Sequence, residues 1–329
     1  MKKIALSGIQ VTGNLHLGNY LGSIKNWLTM QEDYDCYFFL ANLHSITIEI
    51  PAEELRKSTL STVALYLASG LDQKKVTIFP QSRVYEHAEL AWILSCVTPI
   101  GWLKRMTQFK DKAGKKQDLA NTGLFTYPVL MTADILLYDA DVVPVGDDQK
   151  QHLEIARDIA GAINRRFNQE ILKVPDSLIQ GIATRVMSLR DGTNKMSKSD
   201  SSEASRINLI DDKDVISQKI KKAKTDNIAE ISYDPDNRPE ISNLINIYAA
   251  ITNKKPSEIV SIYQHGGFAK FKSELADVII SELEPINKEY HKLMNDTDYL
   301  LKLLEKGTEQ ARKKANKTCS RIKESFGLI

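Results

Sequence analysis

The sequence predicts an α/β fold in which a doubly wound parallel sheet is followed by an all-helical region. Short, continuous apolar runs at 3–6, 36–40 and 76–79 have the length and composition of strands buried on both faces. Apolar residues at helical spacing separate these runs, and such alternation is typical of parallel sheets. From about Ser201 onward every apolar pattern is helical. We therefore predict one domain over 1–200 and a second, helical domain over 201–329.

Each predicted element has a local reason in the sequence. Leu17, Leu21, Ile24 and Leu28 recur at helical spacing after the first run. Pro51 at the first helical position opens the next helix, and Gly70 ends it. We expect the polar segments 42–45 and 111–116 to be a turn and a loop. The remaining predicted elements are helices at 86–96 and 122–138, a short strand at 142–145 and a helix ending near 163.

Composition narrows the class of protein. The chain has 329 residues, a formal net charge of +2 and three scattered cysteines. The spacing of these cysteines predicts no metal site, and it fits a reducing, cytoplasmic location. We find no run of membrane-spanning length and no secretory leader pattern, so we expect no membrane partner.

The stretch 7–20, between the first strand and the first helix, predicts a phosphate site. Gly8, Gly13 and Gly18 let the backbone approach a ligand closely, and the helix that follows offers free N–H groups to an anion. His16 and Asn19 can donate hydrogen bonds to phosphoryl oxygens. The spacing matches neither the dinucleotide-binding fingerprint nor the Walker A loop. A histidine that only caps the helix, above glycines that only make a turn, is an equally good interpretation of this stretch alone.

A second motif, Lys195-Met196-Ser197-Lys198-Ser199, removes that ambiguity. Together with His16-Leu17-Gly18-Asn19 it resembles the two signatures of class I aminoacyl-tRNA synthetases. Within that class the chain is most similar to the bacterial-type tryptophanyl-tRNA synthetases. Val11 departs from the family pattern, which usually has proline there, but this change removes no reacting group. The segments that carry the resemblance are 7–10, 18–20, 105–110, 133–138, 143–152 and 185–189.

The resemblance implies a Rossmann-like catalytic domain, an anticodon-side helical domain and a two-step reaction. Tryptophan and ATP would form tryptophanyl-adenylate and pyrophosphate, with Mg²⁺ on the phosphates, and the acyl group would pass to tRNA-Trp. His16, Asn19, Lys195 and Lys198 are the expected catalytic residues. The expected ATP-binding residues are Gln10, Val11, Thr12, Gly18, Asn19, Gly146, Asp147, Asp148, Val186, Lys195, Met196, Ser197, Lys198 and Ser199.

Asp134 is the most informative residue of the expected tryptophan pocket. Its neighbours in sequence are apolar, so its carboxylate needs a specific donor. A lysine or a backbone N–H could be that donor, whereas the resemblance implies that Asp134 accepts the indole N–H. The other residues that the resemblance places around tryptophan are Leu6, Gly8, His44, Tyr127, Met131, Val143, Val145 and Gln149.

The resemblance further implies a homodimer and a tRNA partner. Two basic stretches, 219–224 and 312–323, are candidates for contacts with tRNA, although such runs are usually solvated helix faces. The alternatives are a tyrosyl-tRNA synthetase, a small nucleotidyltransferase with a similar histidine turn, and a non-catalytic paralogue. The motifs in the first half of the chain argue against a tyrosyl-tRNA synthetase. The long helical region argues against a nucleotidyltransferase, and the intact lysines argue against a non-catalytic paralogue.

Overall fold

A computed structural model describes residues 2–106, 121–144, 150–178 and 185–329, except for the side chain of Lys150. Its sheet has five parallel strands in the order β3-β2-β1-β4-β5. These strands are β1 Ile4–Ile9, β2 Asp35–Leu40, β3 Val76–Pro80, β4 Val142–Pro144 and β5 Asp176–Leu178. The predicted parallel sheet is thereby confirmed.

Two features of the sheet differ from the sequence-based expectation. β1 continues through Ser7 and Gly8 to Ile9, pairing with β2 over its whole length, so the turn begins only after residue 9. β5 was not predicted, because its residues Asp176, Ser177 and Leu178 are exposed or half-buried and form no apolar run. The predicted loop at 111–116 and Val145, the last residue of the predicted fourth strand, lie outside the described residues.

The helices follow the predicted spacing. The first, α1, runs over 17–33 and includes a π-helical turn at Tyr20–Ile24. Residues 42–45 form a short helix rather than a turn, and Pro51 is the N-cap residue just before the helix Ala52–Ala68 rather than its first residue. None of the helices in the described ranges is long and apolar enough to cross a membrane. The others are α2 Asn42–Ser45, α3 Ala52–Ala68, α4 Glu86–Ser95, α5 Ile100–Lys104, α6 Thr122–Leu136, α7 Lys150–Phe167, α8 Lys213–Lys221, α9 Pro239–Thr252, α10 Pro256–Tyr263, α11 Gly267–Met294 and α12 Thr297–Phe326.

Alternate side chains of the central strands enter two separate cores. Phe38 and Leu40 join the core formed with α1, α3 and the C-terminal helices, whereas Phe39 joins the core formed with α4, α6 and α7. This is the two-faced burial expected of a doubly wound sheet. The chain adds β2 and β3 on one side of β1 and β4 on the other, so a crevice opens between β1 and β4 at their carboxyl ends.

The last helix, α12, crosses the edge strand β3. Leu300 and Leu304 belong to the first core, and Ala311 and Ala315, further along the helix, belong to the second. Gly307 lies at the crossing point, where a Cβ atom would come within 1.9 Å of the Ile78 carbonyl oxygen. The predicted helical region is therefore present, and its final helix covers the edge of the sheet.

Replacing Gly307 by alanine is expected to destabilise the protein by about 1–3 kcal/mol, because a rigid backbone meets the added methyl group. Urea unfolding followed by circular dichroism measures the change. Gly101→Ala is the matched control: Gly101 is also helical but has open space around it. Equal unfolding midpoints for the two variants would contradict the tight crossing.

Candidate active site

A cleft of about 1310 Å³ lies at the carboxyl end of the sheet, at the crevice between β1 and β4. Val11, a predicted ATP-binding residue, is fully buried in the core and does not line this cleft. Val145, Gly146, Asp147, Asp148 and Gln149 lie outside the described residues. The sequence-predicted site residues that line the cleft are Leu6, Gly8, Gln10, Thr12, His16, Gly18, Asn19, His44, Tyr127, Met131, Asp134, Val143, Val186, Lys195, Met196, Ser197, Lys198 and Ser199.

The turn after β1, which the sequence predicts to bind phosphate, is built around the imidazole of His16. This side chain is buried, and its Nδ1 atom has no hydrogen-bond partner among the described residues. A Cβ atom on Gly18 would lie 3.0 Å from Nδ1, so glycine leaves room for the ring. The Asn19 carboxamide oxygen accepts the His16 backbone N–H at 3.1 Å. The amide NH₂ of Asn19 then remains as its donor group.

Electrostatics keep the His16 ring neutral. Burial first of all, and then the positive charges of Lys198, Arg206 and Lys195, lower the pKa of His16 to about 3. Burial also lowers the pKa of the Lys198 ammonium to about 8. At pH 7 the turn therefore presents a neutral imidazole beside two lysine ammonium groups, an arrangement suited to a polyanionic ligand.

Hydrogen bonds join the first turn to the lysine loop and to the segment just beyond it, although these parts are nearly 180 residues apart in sequence. The Lys198 ammonium donates to the Gln10 carbonyl at 2.9 Å. Beyond the lysine loop, the Ile207 carbonyl accepts the Leu17 N–H at 2.8 Å, and the Leu209 N–H donates to the Leu15 carbonyl at 2.9 Å. The first turn is thus hydrogen-bonded to the lysine loop through Lys198 and to the chain just beyond that loop through residues 207–209.

Asp134 is a second charged group of the cleft, separate from His16 and the lysine loop, and it is fully buried on α6. His44 Nε2 is 2.8 Å from its Oδ2, and His87 Nδ1 is 2.6 Å from its Oδ1. Gln81 Nε2 donates to the same Oδ1 at 2.6 Å. Burial alone would raise the pKa of this carboxyl, but His44 and then His87 outweigh it, and the pKa of Asp134 is about 2.

The donors of Asp134 are thus histidines and a glutamine, rather than the lysine or backbone N–H considered above. Sequence reasoning placed His44 in the pocket but missed Gln81, His87 and Tyr138, whose hydroxyl is 2.7 Å from His87 Nε2. The only sequence signal for His87 is a lone histidine within an apolar helix. A second polar pair, Tyr127 and His152, lies along the same cleft, with the Tyr127 hydroxyl 3.0 Å from His152 Nε2.

Ion pairs occupy many of the residues in the two basic stretches. In the C-terminal stretch, Arg312 and Lys323 pair with Glu86 and Glu89 of α4. Lys314 and Arg321 both pair with Asp139. In the other stretch, Lys219 and Lys224 pair with Asp211 and Glu240. Much of the positive charge therefore holds the C-terminal helices in place.

A parallel sheet whose carboxyl edge carries a His-Leu-Gly-Asn turn and a Lys-Met-Ser-Lys-Ser loop in one cleft defines a class I aminoacyl-tRNA synthetase. The sequence pattern of the family described as "tRNA synthetases class I (W and Y)" matches residues 2–284 of this chain. The chain belongs to this family.

Similar proteins are named more narrowly. A curated protein of Rickettsia bellii, "Tryptophan--tRNA ligase", is 64% identical over 329 residues, which is all of both chains. The crystal structure of tryptophanyl-tRNA synthetase from Mycoplasma pneumoniae has a TM-score of 0.93 and 34% identity, with 100% of this chain and 99% of that chain covered. The Campylobacter jejuni tryptophanyl-tRNA synthetase, complexed with ADP and tryptophan, has a TM-score of 0.82 and 35% identity, with 98% and 99% covered.

Between pH 8 and pH 5 the His16 ring is expected to stay neutral, because its pKa is about 3. NMR of histidine-labelled protein measures this, and loss of the signal in His16→Gln assigns it. The unfolded chain protonates this histidine near pH 6.5, so the unfolded state binds the extra proton, and the free energy of unfolding falls as the pH drops below about 6.5. A ring signal that titrates with a midpoint near 6.5 would contradict this environment.

Proposed function

We propose that this chain is a ligase that activates L-tryptophan with ATP and transfers the tryptophanyl group to tRNA-Trp. The observation that carries the proposal is the cleft itself, which joins two chemically different parts. His16, Lys195 and Lys198 line one part, and the buried, ionised Asp134 lies in an otherwise largely apolar second part. The curated relative of R. bellii and the complex of the C. jejuni protein with ADP and tryptophan support this assignment.

In the first step the tryptophan carboxylate attacks the α-phosphorus of ATP, and pyrophosphate leaves. The protein must hold two anions in line and stabilise the charge that moves onto the leaving group. Lys195 and Lys198 are three residues apart on one loop, so both ammonium groups can contact the triphosphate. Buried His16 and the amide of Asn19 act as neutral donors to phosphoryl oxygens. In our proposal these four residues are the catalytic ones.

The acceptor chemistry of Asp134 supports tryptophan as the amino acid. An ionised carboxylate within an apolar slot can accept the indole N–H, a hydrogen bond that phenylalanine cannot make. Met131, Val143 and Leu6 supply apolar surface along the same cleft. Tyr127 and the half-buried His44 add polar groups at its wall, where the ammonium and carboxylate of the amino acid need partners.

Mg²⁺ enters the proposal through ATP. Mg²⁺ prefers oxygen ligands and keeps several waters, so the triphosphate itself is its natural ligand. The side chains at the phosphate end are lysine ammonium groups and an imidazole, which fit a metal held by the nucleotide. The metal would neutralise part of the charge on the β- and γ-phosphates, and the two lysines would neutralise more.

A cytoplasmic location is part of the same proposal. Cys36, Cys96 and Cys319 are free thiols. Free thiols fit a reducing compartment, where the tRNA partner is found. The exposed lysines of the two basic stretches, such as Lys221 and Lys313, are the candidates for contacts with that tRNA.

We also propose that two copies pair through α4. Tyr85, the N-cap residue of α4, and Trp92 are two helical turns apart, so they lie on one side of this helix, and their exposed fractions are 66% and 72%. Ile100, at the start of the next helix, is 63% exposed. Clustered aromatic residues of this kind are enriched at protein interfaces.

Trp92→Asp is expected to convert the dimer to a monomer, because it places a charge at the centre of this apolar face. Light scattering coupled to size-exclusion chromatography measures the mass. Ile262→Asp, which alters an exposed apolar residue on α10, serves as the control and should leave the dimer intact. An unchanged mass for Trp92→Asp would show that this face is not the interface.

ATP–pyrophosphate exchange without tRNA, measured with tryptophan, tyrosine and phenylalanine side by side, tests the activity. We expect exchange with tryptophan alone. Exchange with tyrosine would overturn the pocket assignment while leaving the reaction intact. Absence of exchange with all three amino acids would overturn the proposed activity.

A further inference from the structure

A chain of buried hydrogen bonds lies behind Asp134. The Tyr138 hydroxyl is 2.7 Å from His87 Nε2, and His87 Nδ1 is 2.6 Å from Asp134 Oδ1. All three residues are completely shielded from solvent. The His87 ring lies among Phe39, Phe79 and Tyr138, with ring centroids 5.5–6.2 Å apart.

The order of donors along this chain follows from the two end groups. Burial, followed by the charges of Asp134 and Glu86, raises the pKa of the Tyr138 hydroxyl well above its usual value, so the hydroxyl keeps its proton. The ionised Asp134 can only accept, so the proton of the His87 ring is on Nδ1, and the Tyr138 O–H donates to Nε2. The opposite tautomer would point a nitrogen lone pair at a carboxylate, which is repulsive. Hence Nδ1–H donates to Asp134.

The two oxygens of Asp134 are then unequally occupied. Oδ1 accepts two hydrogen bonds, from His87 and Gln81, which fill its two lone-pair directions. Oδ2 accepts one, from the half-buried His44, and keeps one direction open. His44, the partner of Oδ2, lines the cleft, whereas Gln81 and His87, the partners of Oδ1, do not line it.

We propose that His87, held in one tautomer by Tyr138, is a positioning residue that fixes Asp134 so that its Oδ2 accepts the indole N–H. This inference rests on the proposed function, because it assigns a cause to the preference for tryptophan. His87 touches neither tryptophan nor ATP. It acts by preventing the carboxylate from rotating, since a rotated carboxylate would no longer offer a free oxygen at the same position.

The experiment compares tryptophan with 3-(3-benzothienyl)alanine, a ligand of nearly the same shape that lacks the N–H donor. Both are measured in ATP–pyrophosphate exchange, the first by its KM and the second by its inhibition constant against tryptophan. In His87→Leu, the tryptophan KM is expected to rise about 10- to 100-fold, because a charge-assisted hydrogen bond is lost. The inhibition constant of the analogue should change less than about 3-fold, since it does not use the carboxylate.

Two further variants refine the comparison. His87→Asn keeps an N–H donor near the position of Nδ1, so its tryptophan KM should lie between those of the unmodified protein and His87→Leu. Tyr138→Phe removes only the hydroxyl group that sets the tautomer, and a rise of about 3- to 10-fold is expected. Tyr66→Phe makes the same chemical change at an equally buried site beside Trp27 and should leave both constants unchanged.

The outcomes separate the positioning role from packing and from the proposed function. Equal weakening of tryptophan and its analogue in His87→Leu would show that His87 only fills space, and would overturn the inference. If His87→Leu does not fold, Tyr138→Phe decides: a larger loss for tryptophan than for the analogue supports the inference, and an equal loss overturns it. Exchange by the unmodified protein, which tests the proposed function, is measured independently of these ratios.

Discussion

The burial of one carboxylate, that of Asp134, constrains much of the structure around the cleft. An ionised carboxylate removed from water is strongly unfavourable unless donors replace the lost hydration. Here the donors come from three separate segments: His44 on α2, Gln81 just after β3, and His87 on α4. Satisfying Asp134 therefore requires that the segments after β2 and β3 pack correctly against α6. The buried charge of Asp134 is therefore stabilised only when these parts of the sheet and α6 are packed together.

The opposite sign of charge organises the other end of the cleft. His16, Lys195, Lys198 and Arg206 are brought together by backbone pairing between the first turn and the segment 207–209. Burial is the main reason for the low pKa of His16, and repulsion from the positive charges of Lys198, Arg206 and Lys195 lowers it further. Burial alone lowers the pKa of Lys198. A polyanion bound at this site would relieve that repulsion, so the phosphate end of the cleft is electrostatically prepared for its ligand.

The C-terminal helices pack against both faces of the sheet as well as against one another. α12 crosses the exposed edge of β3 with Gly307 at the point of closest approach. Its basic residues pair with Glu86 and Glu89 on α4, the helix that also carries His87. Covering an edge strand prevents it from pairing with other chains. The last helix therefore packs against the helix that carries His87, a partner of Asp134. Much of its positive charge is paired with acidic residues of the same chain.

The amino-acid sequence alone determined the class of fold, the strand-to-helix turn that holds His16 and the identity of the lysine loop. Continuous apolar runs and helical spacing are local signals, and each of the two motifs is an unbroken stretch of sequence. Both kinds of signal can therefore be recognised without a structure. β5 was not predicted because it is short and has no apolar run, and it is a strand because it pairs with β4. The partners of Asp134, the burial of Val11 and the path of α12 over β3 were decided only by the tertiary structure. Each depends on contacts between residues far apart in sequence, and local patterns do not encode which distant side chains meet.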